Sequence, residues 1–446
     1  MDQIVKDAGT GEDLHAREAA YEKFVDANLK RNYVANYIHG MLGLTGFRLI
    51  YAPTFIPTYV HQLTGSDALV GLGTSLLQLG AILSPLISAS RIEHQPRILP
   101  YAIRTGSMMR VMILGLALAG WFLAGPVLLI VTLALLFLLG IFNGTQRVAF
   151  QMLMSKVIPI ARRGRLQAWR NITGGVIAAG LSYVAGRYLI GGKVFGNGYA
   201  TTFFLTFVLT SLGLTVLQLV LVEPDPPSRR PAMRFLDRLK EFPVLLEDRD
   251  YRWFILAEAL TVCARLASPF YVLYAGQQLG LSGTTIGELS LAYLGADTVS
   301  NLLWGHLGDR TGYRITFLLA AGIWGAAVLL LILIHQPWAV FVAFCGLGAG
   351  NSGYLMSQQT MVLEFGQRND VAMRLALSTT IEGMISTIGP LLGGLLAVTL
   401  GYGVLMSCSV GFLGGAFLLL LFKVREPRKR ARTQAAGVEP APGVLG

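Results

Sequence analysis

Stretches of twenty or more mostly apolar residues follow one another along nearly the whole 446-residue chain, separated by short polar connections. They lie near 33–60, 67–90, 98–119, 127–154, 166–190, 199–221, 252–276, 284–305, 315–334, 338–363, 371–399 and 403–422. A helix needs about 20 such residues to cross a bilayer core, so the pattern predicts an all-α integral membrane protein with twelve transmembrane helices. Composition agrees. Charged residues make up 14% of the chain, against about 25% in a soluble domain, so most of the surface is expected to face lipid.

The net charge of +11 would point to nucleic acid in a soluble chain. Here the Lys and Arg residues collect in alternate connections, at 91–97, 156–165, 223–249, 306–314, 364–374 and the tail, while the intervening ones hold almost none beyond Lys193. That bias marks cytoplasmic loops. It places both termini in the cytoplasm, makes the plasma (inner) membrane the expected location, and leaves no reason to expect a nucleic-acid partner. Cys263, Cys345 and Cys408 lie singly inside apolar spans and read as packing residues. The histidines lack metal spacing, so no metal or cofactor is expected. The N-terminus opens polar, without the pattern of a cleavable signal peptide.

Five segments follow. Residues 1–32 form a polar extension with good helix formers over 12–31. Residues 33–222 form a first six-helix bundle and 251–423 a second. The linker 223–250 opens turn-like (EPDPPSRRP) and continues as an amphipathic segment (MRFLDRLKEFPVLLED). The tail 424–446 is basic, then rich in Pro, Gly and Ala. Pro53 and Pro57 are expected to bend the first span. The halves resemble each other: 50–73 lines up with 266–289, Pro53 over Pro269, and 142–165 parallels 349–372, Gly144 over Gly350 and Arg162 over Arg368.

Between the eighth and ninth spans the chain reads Gly305-His306-Leu307-Gly308-Asp309-Arg310-Thr311-Gly312-Tyr313-Arg314. This G-x-x-x-D-R-x-G-x-R pattern between hydrophobic spans resembles the signature loop of the major facilitator superfamily. The equivalent loop of the first half, 91–97 (RIEHQPR), lacks the glycines and the Asp-Arg pair. The resemblance implies two pseudo-symmetric six-helix bundles, rocking-type alternating access and a monomer. It also implies a gate in which Gly305, Asp309, Arg310, Gly312 and Arg314 combine with Glu364 and Arg368 to hold the cytoplasmic side closed. Asp309 is expected to favour a helix N-terminus such as that of the eleventh span.

An ionisable residue inside a span is costly to bury and therefore a functional hypothesis by default. No Asp or Glu occurs from His94 to Val222. The first half places Arg48, Arg110 and Arg147 at membrane depth. The second half places Glu258, Asp297 and Glu382 there, with Arg265 as its clearest deep base. A proton-binding carboxylate must therefore come from the second half, with Glu258, Asp297 and Glu382 as the candidates. Asn143, Arg147 and Gln151 form a polar stripe at i, i+4, i+8, and Asn351 and Gln358 a second at i+7. The superfamily lines its cavity with the first, fourth, seventh and tenth helices. That resemblance makes Arg48, Asn143, Arg147, Gln151, Glu258, Arg265, Asn351 and Gln358 candidate cavity residues. Glu258 and Arg265 share a helix face two turns apart, so each needs another partner. A latch between bundles, such as Arg48–Glu258 or Arg147–Glu258, stands as the alternative to ligand binding. Arg110 reads as structural, Arg104 and Arg187 as snorkelling, and Glu288 as interfacial.

The reading that results is a secondary transporter of a small organic molecule, with proton-coupled efflux of an amphipathic compound as the leading form. Gly389-Pro390-Leu391-Leu392-Gly393-Gly394 resembles an antiporter motif of the superfamily, displaced from the fifth span to the eleventh. Transport of an organic or phosphorylated anion is the alternative, because arginine suits carboxylate and phosphate. A non-transporting sensor or scaffold of the same fold is a third. Without a Walker loop, nucleophile elbow or zinc motif, neither an enzyme nor an ATP-driven pump is expected.

Overall fold

The computed structural model describes residues 11–92, 97–224, 245–365 and 371–426, without side chains at 11–17, 85–92 and 371–372. Arg368, most of the linker over 225–244, with all but the end of its amphipathic segment, and the tail from 427 lie outside the described residues. Two compact units emerge: Met1–Thr64 with Leu76–Arg234 and Ser282–Gly287, and Gly65–Ser75 with Phe235–Leu281 and Glu288–Gly446.

Every regular element among the described residues is helical. In chain order these are α1 (Gly11–Tyr51), α2 (Ile56–Thr64), α3 (Asp67–Ile92), α4 (Leu99–Phe122), α5 (Gly125–Val157), α6 (Ile160–Val184), α7 (Gly198–Val220), α8 (Arg249–Ala264), α9 (Tyr271–Leu279), α10 (Gly283–Thr311), α11 (Tyr313–Leu333), α12 (Pro337–Glu364) and α13 (Val371–Phe422). Among the described residues, eight helical stretches are long and apolar enough to cross a membrane. The helices α1, α6 and α10 fall short of that mark because polar residues interrupt them, such as Asn36, His39 and Arg48 in α1. The polar extension is continuous with the first span, giving one helix of 41 residues. The helix α13 carries the eleventh and twelfth spans, broken at Gly401 with φ 81°, a conformation glycine adopts without penalty.

The internal repeat is visible as geometry. Proline removes a backbone donor and drives the residue before it out of the α region. The first span accordingly leaves its helix at Ala52, beside Pro53, and resumes at Ile56. The seventh span tightens into a 3-10 segment, Arg265–Phe270, that contains Pro269. Each broken span then ends on a left-handed glycine, Gly65 at φ 65° and Gly280 at φ 79°.

A second correspondence involves an acid that follows the last span of each half. Glu223 accepts the backbone N–H groups of Ile98 and Leu99, at 2.8 and 2.7 Å, where α4 begins. It also pairs with Lys156 at 3.1 Å. Glu426 accepts the N–H of Arg314 at 3.2 Å, where α11 begins. Both acids meet the positive end of a helix dipole and satisfy donors that the helix cannot pair itself.

Within the first unit α1 packs on α6 and α7, and α4 on α5 and α7. The helices α3 and α5 touch backbone to backbone: a Cβ on Gly140 would stand 2.1 Å from the Leu77 carbonyl oxygen. Small residues allow such approach in lipid, where packing replaces the hydrophobic drive. Within the second unit α8 packs on α13, and α11 on α12 and α13, around Phe254, Phe317, Trp324 and Tyr354. Large apolar side chains point outward: Ile130 is 66% exposed and Leu219 71%. Lipid, not water, is the solvent for that surface.

Candidate functional site

Glu258 on α8 is fully buried in the second unit. Its Oε1 accepts from Gln358 Nε2 on α12 at 2.9 Å and from Ser378 Oγ on α13 at 2.7 Å. Gln358 Nε2 also donates to Ser378 Oγ at 2.9 Å. The other oxygen, Oε2, has no hydrogen-bond partner among the described residues, and no cation stands at ion-pair distance among them. Seven residues along the same span, Arg265 Nη1 meets Glu382 Oε1 on α13 at 3.2 Å, with both side chains partly exposed.

These two contacts form parallel rungs. Glu258 and Arg265 are two turns apart on the seventh span, and their partners Ser378 and Glu382 are one turn apart on α13. Close approach of the spans makes the rungs possible. A Cβ on Gly393 would lie 2.3 Å from the Leu266 carbonyl oxygen, and Gly389 also faces Leu266. The small residues of the Gly389–Gly394 segment thus let α13 ride against the break in the seventh span. The break itself is stabilised by Ser409 Oγ, which donates to the Ala264 carbonyl at 2.9 Å.

The other singled-out residues are distributed as follows. Asp297 is buried on α10 beside a close crossing with α12, where a Cβ on Gly348 would stand 2.1 Å from the Tyr293 carbonyl oxygen. Asn351, unlike buried Gln358, is half-buried. In the first unit, Arg48 and Asn143 are half-buried, whereas Arg147 and Gln151 are exposed on α5. Arg110 is buried and donates to the carbonyls of Thr210 and Gly106 at 2.8 and 2.7 Å, which is a structural arrangement.

At the gate, Gly312 turns the chain at φ 96°, and Tyr313 Oη donates to Asp309 Oδ1 at 3.2 Å. Arg314 departs from the expected cluster. Its Nε and Nη2 donate to the Leu420 and Leu421 carbonyls at 2.8 and 2.7 Å, so it holds the end of the twelfth span. Asp309 and Arg310 are exposed, Gly305 and Glu364 half-buried.

Sequence reasoning passed over Ser378, whose signal is its place one turn before Glu382. It also missed two buried arginines. Arg170 on α6 lies over the Phe150 ring at 4.6 Å, and Gly40 leaves the room it fills. His39 packs on the same ring at 4.9 Å. Arg374 on α13 lies over the Tyr251 ring at 4.4 Å and pairs with Asp248 at 3.4 Å, while Tyr251 Oη donates to the Arg374 carbonyl at 2.8 Å.

The family profile described as Major Facilitator Superfamily matches residues 254–444. A multidrug resistance protein, MdtG, of Salmonella paratyphi C (strain RKS4594) is 26% identical over 87% of this chain and 94% of its own length. Among solved structures, a variant of the nucleoside transporter NupG aligns with a TM-score of 0.68 at 11% identity, covering 88% of this chain and all of that one. A D-xylose-proton symporter aligns with a TM-score of 0.67 at 13% identity, covering 90% of this chain and 99% of that one. The profile takes in the second half, the sequence relative runs almost end to end, and the solved structures share the helical architecture. On that ground the chain is similar to the major facilitator superfamily, whose profile matches its second half.

Proposed function

We propose that this chain, a multi-pass membrane transporter, exports amphipathic organic compounds in exchange for protons, with Glu258 as the proton carrier and both termini in the cytoplasm. The observation that carries this reading is the state of the Glu258 carboxyl: fully buried, with one oxygen accepting twice and the other without a partner among the described residues. A proton on Oε2 turns an acceptor-only group into one that can also donate. Loss of that proton leaves a charge that burial penalises, so the two states favour different surroundings, which is what a coupled cycle needs. Glu382 holds Arg265 and is the group to which a change at Glu258 would pass along α13. The sequence relatives named as multidrug resistance proteins, covered over nearly their whole length, support export of varied apolar compounds. Pairing of Arg265 with Glu382 leaves the anion-transport alternative resting on Arg48 and Arg147.

The test is substrate flux in proteoliposomes under an imposed pH gradient. Glu258→Gln is expected to abolish gradient-driven flux, by more than about tenfold, while substrate exchange without a gradient persists. Unchanged gradient-driven flux in Glu258→Gln removes proton coupling from this residue. Saturable uptake of organic anions, lost in Arg147→Ala, would replace the efflux reading with anion transport.

A further inference from the structure

A groove of about 650 Å³ runs between α1 and α6 in the first unit. Its walls are one face of each helix: Asp26, Lys30, Tyr33 and Tyr37 on α1, and Arg162, Arg165 and Trp169 on α6. The groove straddles a chemical boundary. Residues 26–30 belong to the polar extension, and the apolar span begins at Tyr33. Lys30, Arg162 and Arg165 are exposed, and three cations face one acid at the polar end. Below them the lining becomes aromatic and aliphatic, with Trp169 49% and Val34 44% exposed. Tyrosine and tryptophan at the level of a lipid headgroup present an apolar body and a polar edge.

Charge behind the wall points the same way. Arg170 follows Trp169 and is buried, and its Nε has no hydrogen-bond partner among the described residues. The stretch from His94 to Val222 contains no acid, so nothing on α4 to α7 neutralises it. A groove that is cationic at one end, apolar at the other and backed by a buried cation fits an amphipathic anion lying along the bilayer normal.

We propose that the α1–α6 groove is a binding site for an anionic phospholipid, its phosphate between Lys30, Arg162 and Arg165 and its upper acyl chain along Tyr33, Val34, Tyr37 and Trp169. An organic cation meets repulsion at the mouth, and a soluble phosphate leaves the apolar half exposed. Basic pockets between transmembrane helices are suited to anionic headgroups.

The experiment uses the full chain in detergent, with dioleoyl phosphatidylglycerol, dioleoyl phosphatidylcholine and glycerol 3-phosphate as separate probes of thermal stability. Phosphatidylglycerol is expected to bind about tenfold more tightly than phosphatidylcholine or more, with glycerol 3-phosphate without effect. The combined variant Lys30→Gln, Arg162→Gln and Arg165→Gln is expected to lose that preference, whereas Arg104→Gln, elsewhere on the same unit, keeps it. A direct readout needs no charge variant: phosphatidylglycerol brominated on its acyl chain should quench tryptophan emission more than brominated phosphatidylcholine does, and that excess should vanish in Trp169→Phe. An unaltered preference in the triple variant overturns the proposal, as does an excess of quenching by the phosphatidylglycerol probe that survives Trp169→Phe. Stabilisation by glycerol 3-phosphate alone would make this a soluble-anion site instead. Stabilisation by a lipophilic cation through Trp169 would make it a part of the export route.

Discussion

Arg170 and Arg374 occupy comparable places in the two halves. When Arg162 is set over Arg368, they fall within two residues of each other. Both are buried, and both lie over an aromatic ring, at 4.6 and 4.4 Å. They differ in counter-charge. Arg374 has Asp248, whose carboxylate also caps α8. Arg170 has a contact to Gln167 at 3.2 Å and no acid among the described residues. A similar contrast holds for the buried groups among the described residues. The second unit pairs Arg265 with Glu382 and keeps Glu258 in a hydroxyl–amide cradle, whereas the first unit answers its buried cations with carbonyls and rings. A repeated fold has thus preserved the position of the cation and let the compensation diverge, so the positive half depends on what surrounds it.

The strongest way to break this comparison is to remove each arginine in turn. Arg374→Met removes the ion-pair partner of Asp248 and is expected to cost about 3 kcal/mol. Arg170→Met strands no acid and should change stability by less than about 1 kcal/mol. Reversible unfolding in mixed detergent micelles measures both, and equal losses would dissolve the distinction. Arg110→Leu comes next. It leaves the Thr210 carbonyl without its side-chain donor and should cost about 1–2 kcal/mol, showing that carbonyls are a sufficient answer to a buried cation. A double-mutant cycle on Arg265→Gln and Glu382→Gln should give a coupling of about 1 kcal/mol, modest because both groups are partly exposed.

The smallest expected effect sharpens the comparison from outside the membrane. Tyr21 Oη donates to the Lys156 carbonyl at 2.7 Å. Burial raises its pKa above the ordinary value of 10.0, with Arg163 opposing and Glu223 reinforcing the shift. The unfolded chain therefore releases this proton first. The contribution of Tyr21 is complete below about pH 10 and declines as pH rises through the folded value. Tyr21→Phe should cost about 1 kcal/mol at neutral pH and lose less stability than wild type in a titration above pH 10.

Much of the fold was legible because hydropathy in a membrane chain is a one-dimensional signal. The twelve spans, the break at Pro53 and its echo at Pro269 follow from length and proline chemistry alone. Glu258, Asp297 and Glu382 stood out because an acid in an apolar run is rare. The partners were harder to find. Ser378 is a common residue with nothing to distinguish it until α13 is laid against α8. Arg170 and Arg374 sit near span ends, where snorkelling is the ordinary explanation, and burial only appears once the rings of Phe150 and Tyr251 are in place. Glu223 was hidden by its neighbours: a stretch rich in proline and charge reads as linker, although its first acid caps a helix more than a hundred residues upstream. Arg314 belonged to a motif whose resemblance drew attention to Asp309 and away from the twelfth span.

The length of α1 has a practical consequence. At about 1.5 Å per residue, its 41 residues extend about 60 Å, twice the thickness of a bilayer core. The part that projects is clamped midway along by Tyr21 on Lys156 and at its base by Asn32, whose side chain exchanges two hydrogen bonds with the Val222 backbone. It therefore acts as a pointer fixed to the first unit. A rotation of about 10° displaces a point ~16 Å along that pointer by about 3 Å, so a dye on exposed Glu22 converts tilts of the first unit into distance changes that single-molecule energy transfer can follow.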